Sequence, residues 1–543
     1  MAKRTFIRET EYLHIPIHDD IPDNFYYVKV YDGDACVQEF HMGIAIDESG
    51  EETNFYVAMF LGNYRSNEIT LVCEDGVPDS FFDGIIPGKK PEEEPGLYPD
   101  LYREDIRQQI HFSPRVGWMN DPNGLFWKDG NFHLYFQHNP FGSHHGGVNV
   151  SWGHAVSADG VHFKEYPDAI MPYSSRCHVA SGSAVVDAEN FSGEGAGTVI
   201  AAYTALQSRQ YRGRKAVTQN EGQMLLYSRD DGKTYQYFEK NPIIPVPDGE
   251  EWRDPKIFVY ENQFCVIVYE RIDGEDCASF YVSSDCRTWV LKSRSKDLYE
   301  CPDIFPLKVS ETGEELWVLY GGSGRYAIGT FSDFVFTAIE KNQFLDYGEN
   351  VYAGQTFNHY PSDEFRYHIA WMVDHGQRCR FTEHSVLNGK SISQAMSLIC
   401  KLELHKTEHG YRLFRTPIET VETLRKNCFE VCICSGSKMT TPAEYQFSLK
   451  GKEPVSITLN GQGFTYQPQD RTIASTSGKS YRLSTEGVPE VRMFTDKRSI
   501  EFFIAGEISL SFFVPESEQF LRMEGRDSVV AKRYELSSIW EEK

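Results

Sequence analysis

Between residues 106 and 400 the chain runs through short alternating or wholly apolar stretches, FHLYFQH, TVIAAYTAL, GQMLLYS, FCVIVYE, ELWVLYG and YHIAWMV, with no long helical periodicity. Alternation with period 2 sends every second side chain to one face, so this region builds sheets. Inside it a pattern recurs, a strand, a Ser/Asp turn and an aromatic: WGHAVSADGVHF, MLLYSRDDGKTYQYF, ASFYVSSDCRTWVL and, more loosely, YAIGTFSDFVF. Aligned on Asp159, Asp231, Asp285 and Asp333, the copies are 72, 54 and 48 residues apart. Such turns close tight hairpins, and the aromatic can cover the sheet of the next unit. Repeats of several strands each suggest propeller blades, with a sandwich of irregular hairpins as the alternative.

The flanks are also β-patterned. Residues 1–86 carry NFYYVKVYDG, ETNFYVAMFLGNY and NEITLVCEDG; residues 425–543 alternate as EYQFSLKG, VSITLNG, YRLST and SIEFFIAGEISLSFFV. Two charged, Pro- or Gly-bearing stretches, 87–100 and 401–427, read as connections. The expected architecture is all-β: an N-terminal β-rich domain (1–100), a propeller (106–400), a linker (401–424) and a C-terminal β-sandwich (425–543).

At 543 residues the chain is long enough for two to four cores. Its 79 acidic against 54 basic residues, a formal charge of −25, would repel a phosphate backbone or an anionic membrane. The first twenty residues lack an apolar run of signal-peptide length, and no stretch approaches a membrane span. Twelve cysteines are scattered without paired spacing. Reduced thiols and a cytoplasmic address are therefore expected.

Three acids stand in unusual settings. Asp121 lies in WMNDPNG, where Pro122 fixes the backbone after it and Asn123-Gly124 reads as a turn. Asp254 lies in EWRDPKIF between Arg253 and Pro255, and Glu300 in LYECPDIF before Cys301-Pro302. Each could simply shape a turn. In a propeller, however, the innermost strands converge on the axis, so acids distant in sequence can meet in one funnel. Retaining glycoside hydrolysis needs a carboxylate nucleophile and a carboxylic acid for the leaving oxygen. The acid stays protonated through burial and its neighbour's charge, and an arginine beside the third acid would keep that one ionised.

These segments resemble glycoside hydrolase family 32, the invertases, inulinases, levanases and fructan exohydrolases. WMNDPNG, RDP and EC are similar to the family's three acidic motifs in the same order. YFQHNP, WGHAVSADGVHF, SGSAVVD, LDYG, QTF and FTDKRSIEFF also resemble family patterns. The resemblance covers about residues 108–430 and implies a five-bladed propeller followed by a β-sandwich. It implies Asp121 as nucleophile, Glu300 as acid/base and Asp254 as stabiliser of the oxocarbenium-like transition state. It also implies fructosyl contacts from Asn120, Gln137, Ser181, Arg253 and Asp346, an aromatic wall from Trp371, no cofactor, and a small fructoside or fructan oligosaccharide as partner. A fructosyltransferase and a catalytically silent fructan-binding protein are the alternatives. A homo-oligomer through either flanking domain is a further expectation.

The chain departs from the family where Ala180 replaces a Phe before the Ser-Gly-Ser segment and Gly146-Gly147 replace an aromatic region. Both changes concern substrate shape more than reaction type. His138, His144, His145 and His154 read as surface and loop residues. Cys428, Cys432 and Cys434 read as alternating core residues, and GGSGR at 321–325 as a hairpin turn, so no metal is expected.

Overall fold

The computed structural model describes all residues except 1, 19–24, 45–52, 75–79, 146–148, 173–176, 208–219, 248–249, 297, 374–389, 515–517 and 542–543. It is nearly all β. No described helix is long and apolar enough to cross a membrane.

Five mainly antiparallel sheets follow one another in chain order, the first and fifth of five strands and the other three of four, beginning with the strands Gly117–Lys128, Cys177–Asp187, Glu251–Tyr260, Asp303–Lys308 and Val351–Thr356. The first strand of each is largely buried, whereas outer strands such as Val290–Lys296 have one exposed face, as their Lys/Ser/Arg alternation dictates. The first strands of the first three sheets touch in turn, and that of the fifth touches that of the first. The Ser/Asp turns end the third strand of the first four sheets. In the second sheet the acceptor is Asp230, bonded to Thr234 N at 3.0 Å, and not Asp231, which turns outward to Lys128. Asp230 lies two residues after Ser228, as Asp159 follows Ser157 and Asp285 follows Ser283.

The expected linker 401–424 is corrected. Cys400–Thr407 and Gly410–Pro417 are the third and fourth strands of the fifth sheet, and only a 3-10 turn at Glu419–Leu424 leads onward. The charges that suggested a linker are the outer face of these strands, for Leu402, Leu404 and Leu413 alternate inward.

Residues 2–88 form a four-stranded and a three-stranded sheet around Leu13, Ile15, Val28, Phe40 and Leu71. That core also takes in Phe141, from the loop after the strand Asn131–Asn139, whose ring lies 4.2 Å from that of Phe40. Residues 425–536 form a six-stranded and a five-stranded sheet that face each other across Phe447, Ile457, Phe464 and Phe502. Cys428, Cys432 and Cys434 are exposed, because their strand, Arg425–Cys434, is the sheet edge and not core.

The outer face of the six-stranded sheet, with Phe494 and Phe503, packs on Phe112, Met396 and Leu398. A buried polar knot crosses this junction. His111 sits between Asp496 Oδ2 and Glu501 Oε2, both at 2.9 Å, and Arg415 bonds Asp346 Oδ2 at 2.9 Å.

Candidate active site

Four of the five first strands carry a β-bulge where the sequence is unusual. The ladder shifts across Asn120 and Asp121, across Ala180 and Ser181, across Asp254 and Pro255, and across Ala353 and Gly354. A bulge leaves one residue unpaired and re-aims its neighbours, so side chains from separate sheets can turn toward one point. Asn123-Gly124, expected as a turn, lies in one continuous strand whose ladder shifts again across Gly124 and Leu125, with Gly124 at φ 55°. Asp254 (φ 62°), Glu300 (φ 49°), Cys301 (φ 41°) and Ala353 (φ 50°) all occupy the left-handed region. Each such position costs of order 1–3 kcal/mol and persists only where its surroundings hold it.

The bonds identify what does the holding. Asp121 accepts from Ser181 Oγ at 2.5 Å, Asn120 Nδ2 at 3.2 Å and Gln137 Nε2 at 3.4 Å. Asp254 Oδ2 accepts from Cys301 N at 3.1 Å, and the Cys301 sulfur lies 3.5 Å from that oxygen and 3.7 Å from Asp121 Oδ2. Cys301 thus bridges two of the acids. Glu300 accepts from Arg253 Nη2 at 2.6 Å and from the Tyr352 hydroxyl. The GGSGR turn fixes Glu300 from behind, as Gly322 N donates to its carbonyl at 2.8 Å. Asp121 and Asp254 are buried; Glu300 is half-buried.

The arginine serves more than the one acid expected. Arg253 makes its short contact with Glu300, while its Nε stands 3.8 Å from Asp254. Burial, with the charges of Glu300 and Asp121 added and Arg253 opposing, pushes Asp254 up to about 7. Burial likewise raises Asp121, against the donors that favour its ionised form. Burial beside two further carboxylates therefore lets Asp254 hold a proton close to neutral pH.

Of the other expected residues, Asn120, Gln137, Ser181 and Arg253 join this network. Asp346 does not: its carboxylate accepts from Arg415, Ser509, Ser511 and Gly348 N in the C-terminal junction. Trp371 is buried, its Nε1 bonded to Gln394 at 3.1 Å, and it stands behind Tyr352. It belongs to an arc of near-perpendicular rings, Tyr352, Trp371, Trp118, His145 and His178, with steps of 6.5, 6.1, 6.3 and 6.1 Å. Of these, Tyr352, His145 and His178 are half-buried, and His178 lies on the strand that carries Ala180. Burial pushes His145 down to about 4 and His178 down to about 3, so both are neutral rings. Gly146-Gly147 lie outside the described residues.

Two expected surface histidines are buried. His138 is held by Asp168 Oδ1 and the Val116 carbonyl, both at 2.8 Å, and His154 stacks on Tyr135 at 4.3 Å. Sequence reasoning missed Tyr352, Cys301 and Thr204, whose Oγ1 accepts from Asp254 N at 2.8 Å. Only Cys301, adjacent to an acid, carried a signal.

Carboxylates gathered at a bulged, mostly buried centre with one basic partner are the equipment of a glycoside hydrolase. Comparison with known proteins agrees. The model of the glycosyl hydrolases family 32 N-terminal domain matches residues 111–417. The chain is 33% identical over 347 residues to a levanase of Bacillus subtilis, covering 59% of this chain and 48% of that protein, so the match spans about half of the levanase. It is 31% identical over 517 residues to an extracellular exo-inulinase of Aspergillus awamori, covering 80% of this chain and 96% of the relative. A crystal structure of the exo-inulinase from the same fungus superposes with a TM-score of 0.66 at 25% identity, covering 81% and 100% of the two chains. The chain belongs to glycosyl hydrolase family 32.

Proposed function

We propose that this protein is a retaining β-fructofuranosidase that removes terminal fructosyl units from fructo-oligosaccharides, fructans or sucrose. The observation that carries the reading is the contact network joining Asp121, Asp254 and Glu300. Relatives named levanase, exo-inulinase and invertase support the substrate class. The five sheets are read as blades of a propeller over about 106–417, flanked by the N-terminal β domain (1–100) and a β-sandwich (425–543).

Asp121 attacks the anomeric carbon as Glu300 gives its proton to the departing oxygen. Glu300 then takes a proton from water, which releases fructose from Asp121. In the empty site burial raises the Asp254 carboxyl. Fructosyl hydroxyls donating to Asp254 stabilise its ionised form, the form that steadies the oxocarbenium-like transition state. Asn120, Gln137 and Ser181 orient Asp121 and the fructosyl unit. His145 and His178 supply wall where Ala180 leaves room, which places the chain's specificity on those rings.

The cytoplasmic address is part of the same proposal and rests on the cysteine pattern. Relatives named extracellular make secretion assays its test. Self-association through a flanking β region is also proposed, with intact mass in solution as its measurement. Fructose release from sucrose, kestose, inulin and levan, with products separated by chromatography, tests the hydrolase reading. Longer fructosides instead of free fructose would establish the transferase.

The raised carboxyl sets a pH profile. kcat/KM should rise with pH toward about 7 as Asp254 ionises to receive the fructosyl hydroxyls; a rate that is level below about pH 7 would remove Asp254 from that role. Because Asp254 binds its proton more tightly folded than at its ordinary 3.8, its contribution to stability falls as pH rises from there through about 7. Asp254→Asn should therefore raise the melting temperature above pH 7 while activity is lost, and differential scanning calorimetry reads this directly. Tyr352→Phe, which removes a donor to Glu300, should lower kcat about tenfold with little change in KM. Steady-state kinetics in which KM alone moves would reassign Tyr352 to substrate binding.

A further inference from the structure

The N-terminal strands grip the loop that follows the strand Asn131–Asn139, and they do so through one asparagine. The strand Ala35–Gly43 is an edge of the four-stranded N-terminal sheet, so its outward N–H and C=O groups need partners from elsewhere. At His41 Asn149 supplies both. Its Oδ1 accepts from His41 N at 2.6 Å, and its Nδ2 donates to the His41 carbonyl at 2.6 Å. One side-chain amide thus meets the sheet edge as a residue of a neighbouring strand would.

The bonds continue from there to the acid site. Asn149 Nδ2 also donates to Asn139 Oδ1 at 2.9 Å, and Asn139 Nδ2 donates to the His144 carbonyl at 2.7 Å. Asn139 and Asn149 are fully buried, so water cannot take over these bonds when one is lost. Phe40 packs on Phe141 beside them, and the ring of His41 lies 6.1 Å from that of His144. The next residue is His145. Its ring stands 6.3 Å from that of Trp118, whose Nε1 bonds Asn120, a donor to Asp121, and 6.1 Å from His178, on the strand that brings Ser181 to Asp121. The strand that holds the loop lies well before residue 111, where the match to the family begins.

We propose that the N-terminal β region is the outer support of the fructoside site, and that Asn149, held by the His41 backbone, is a positioning residue that sets where His145 meets the substrate. Asn149 bonds His41 and Asn139 and none of the three acids among the described residues, so its effect falls on binding and not on bond cleavage. The identity of the substrate rests on the proposed function; the support of His145 from the N-terminal strand does not.

The test is steady-state hydrolysis of kestose by the full chain, wild type beside Asn149→Ala, His145→Ala and the two together. Each single substitution should raise KM about tenfold and keep kcat within about twofold, and the pair should raise KM no further than the stronger single. A side chain that merely held the fold would reduce the active fraction, lowering kcat and leaving KM alone. His144 is half-buried, and His144→Ala removes the ring contact with His41 while keeping both asparagines. It should raise KM about threefold, and it decides the matter should Asn149→Ala not fold. An unmoved KM in these loop variants, or effects of Asn149→Ala and His145→Ala that multiply to about a hundredfold, would overturn the proposal. No fructose release from kestose by the wild type would instead overturn the proposed function, and this inference with it.

Discussion

Asp121→Asn should abolish fructose release from every substrate, and Glu300→Gln should abolish it selectively. Asp121 is buried, and Ser181, Asn120 and Gln137 aim their donors at its carboxylate. An amide keeps the shape but lacks the negative oxygen that forms the fructosyl bond, so the loss should be at least about 10⁴-fold, or about 5 kcal/mol of transition-state stabilisation. Glu300 is the half-buried acid, and its proposed task is a proton to the leaving oxygen. With sucrose the Glu300→Gln loss should match that of Asp121→Asn. With an aryl fructoside, whose leaving group departs without a proton, Glu300→Gln should keep much of the rate of bond cleavage and Asp121→Asn should not. Equal losses on both substrates would remove Glu300 from the acid role.

His111→Ala should destabilise the protein by about 3–5 kcal/mol, because it leaves two buried carboxylates without their cation. His111 is fully enclosed between Asp496 and Glu501, and Asp496 also accepts from the backbone N–H groups of Gln109 and Ile110. Burial works against its charge, but the bonds to Asp496 and Glu501 prevail and push it from 6.5 up to about 9. A raised folded-state value means that the stabilisation is complete below about pH 6.5 and is lost as pH rises through about 9. Denaturant unfolding between pH 6 and 10 should show the gap between wild type and His111→Ala narrowing across that window. A gap that stays constant would mean that His111 is neutral and acts by packing alone.

The sequence was most readable where local pattern and chemistry coincide. Alternating runs located the sheets, and Asp121, Asp254 and Glu300 stood out because Pro, Cys or Arg sits beside each. Partners contributed across sheets were harder to see. Tyr352 stands in VYAGQT, an ordinary strand, and only the bulge at Ala353-Gly354 marks its position near Glu300. Adjacency in sequence points Arg253 to Asp254 alone, whereas the guanidinium also reaches Glu300, at 2.6 Å against 3.8 Å for Asp254. Asp346 was assigned to substrate because a motif fragment carries no information about the Arg415, Ser509 and Ser511 side chains that occupy it. The strands at 400–417 resemble a linker in sequence because their outward charges mask three inward leucines. His138 and His154 were placed outside because a polar side chain looks exposed until a buried partner or a stacked ring is known.

The central claim is a fructosyl unit carried on Asp121, and acid-quenched mass spectrometry of Glu300→Gln mixed with an aryl fructoside tests it most directly. With departure no longer needing an acid and water no longer activated by Glu300, the account predicts an enzyme one anhydrofructosyl unit heavier, with the addition on the peptide containing Asp121 and absent from Asp121→Asn. Release of the aryl group without any adduct, or an adduct on another peptide, would contradict it.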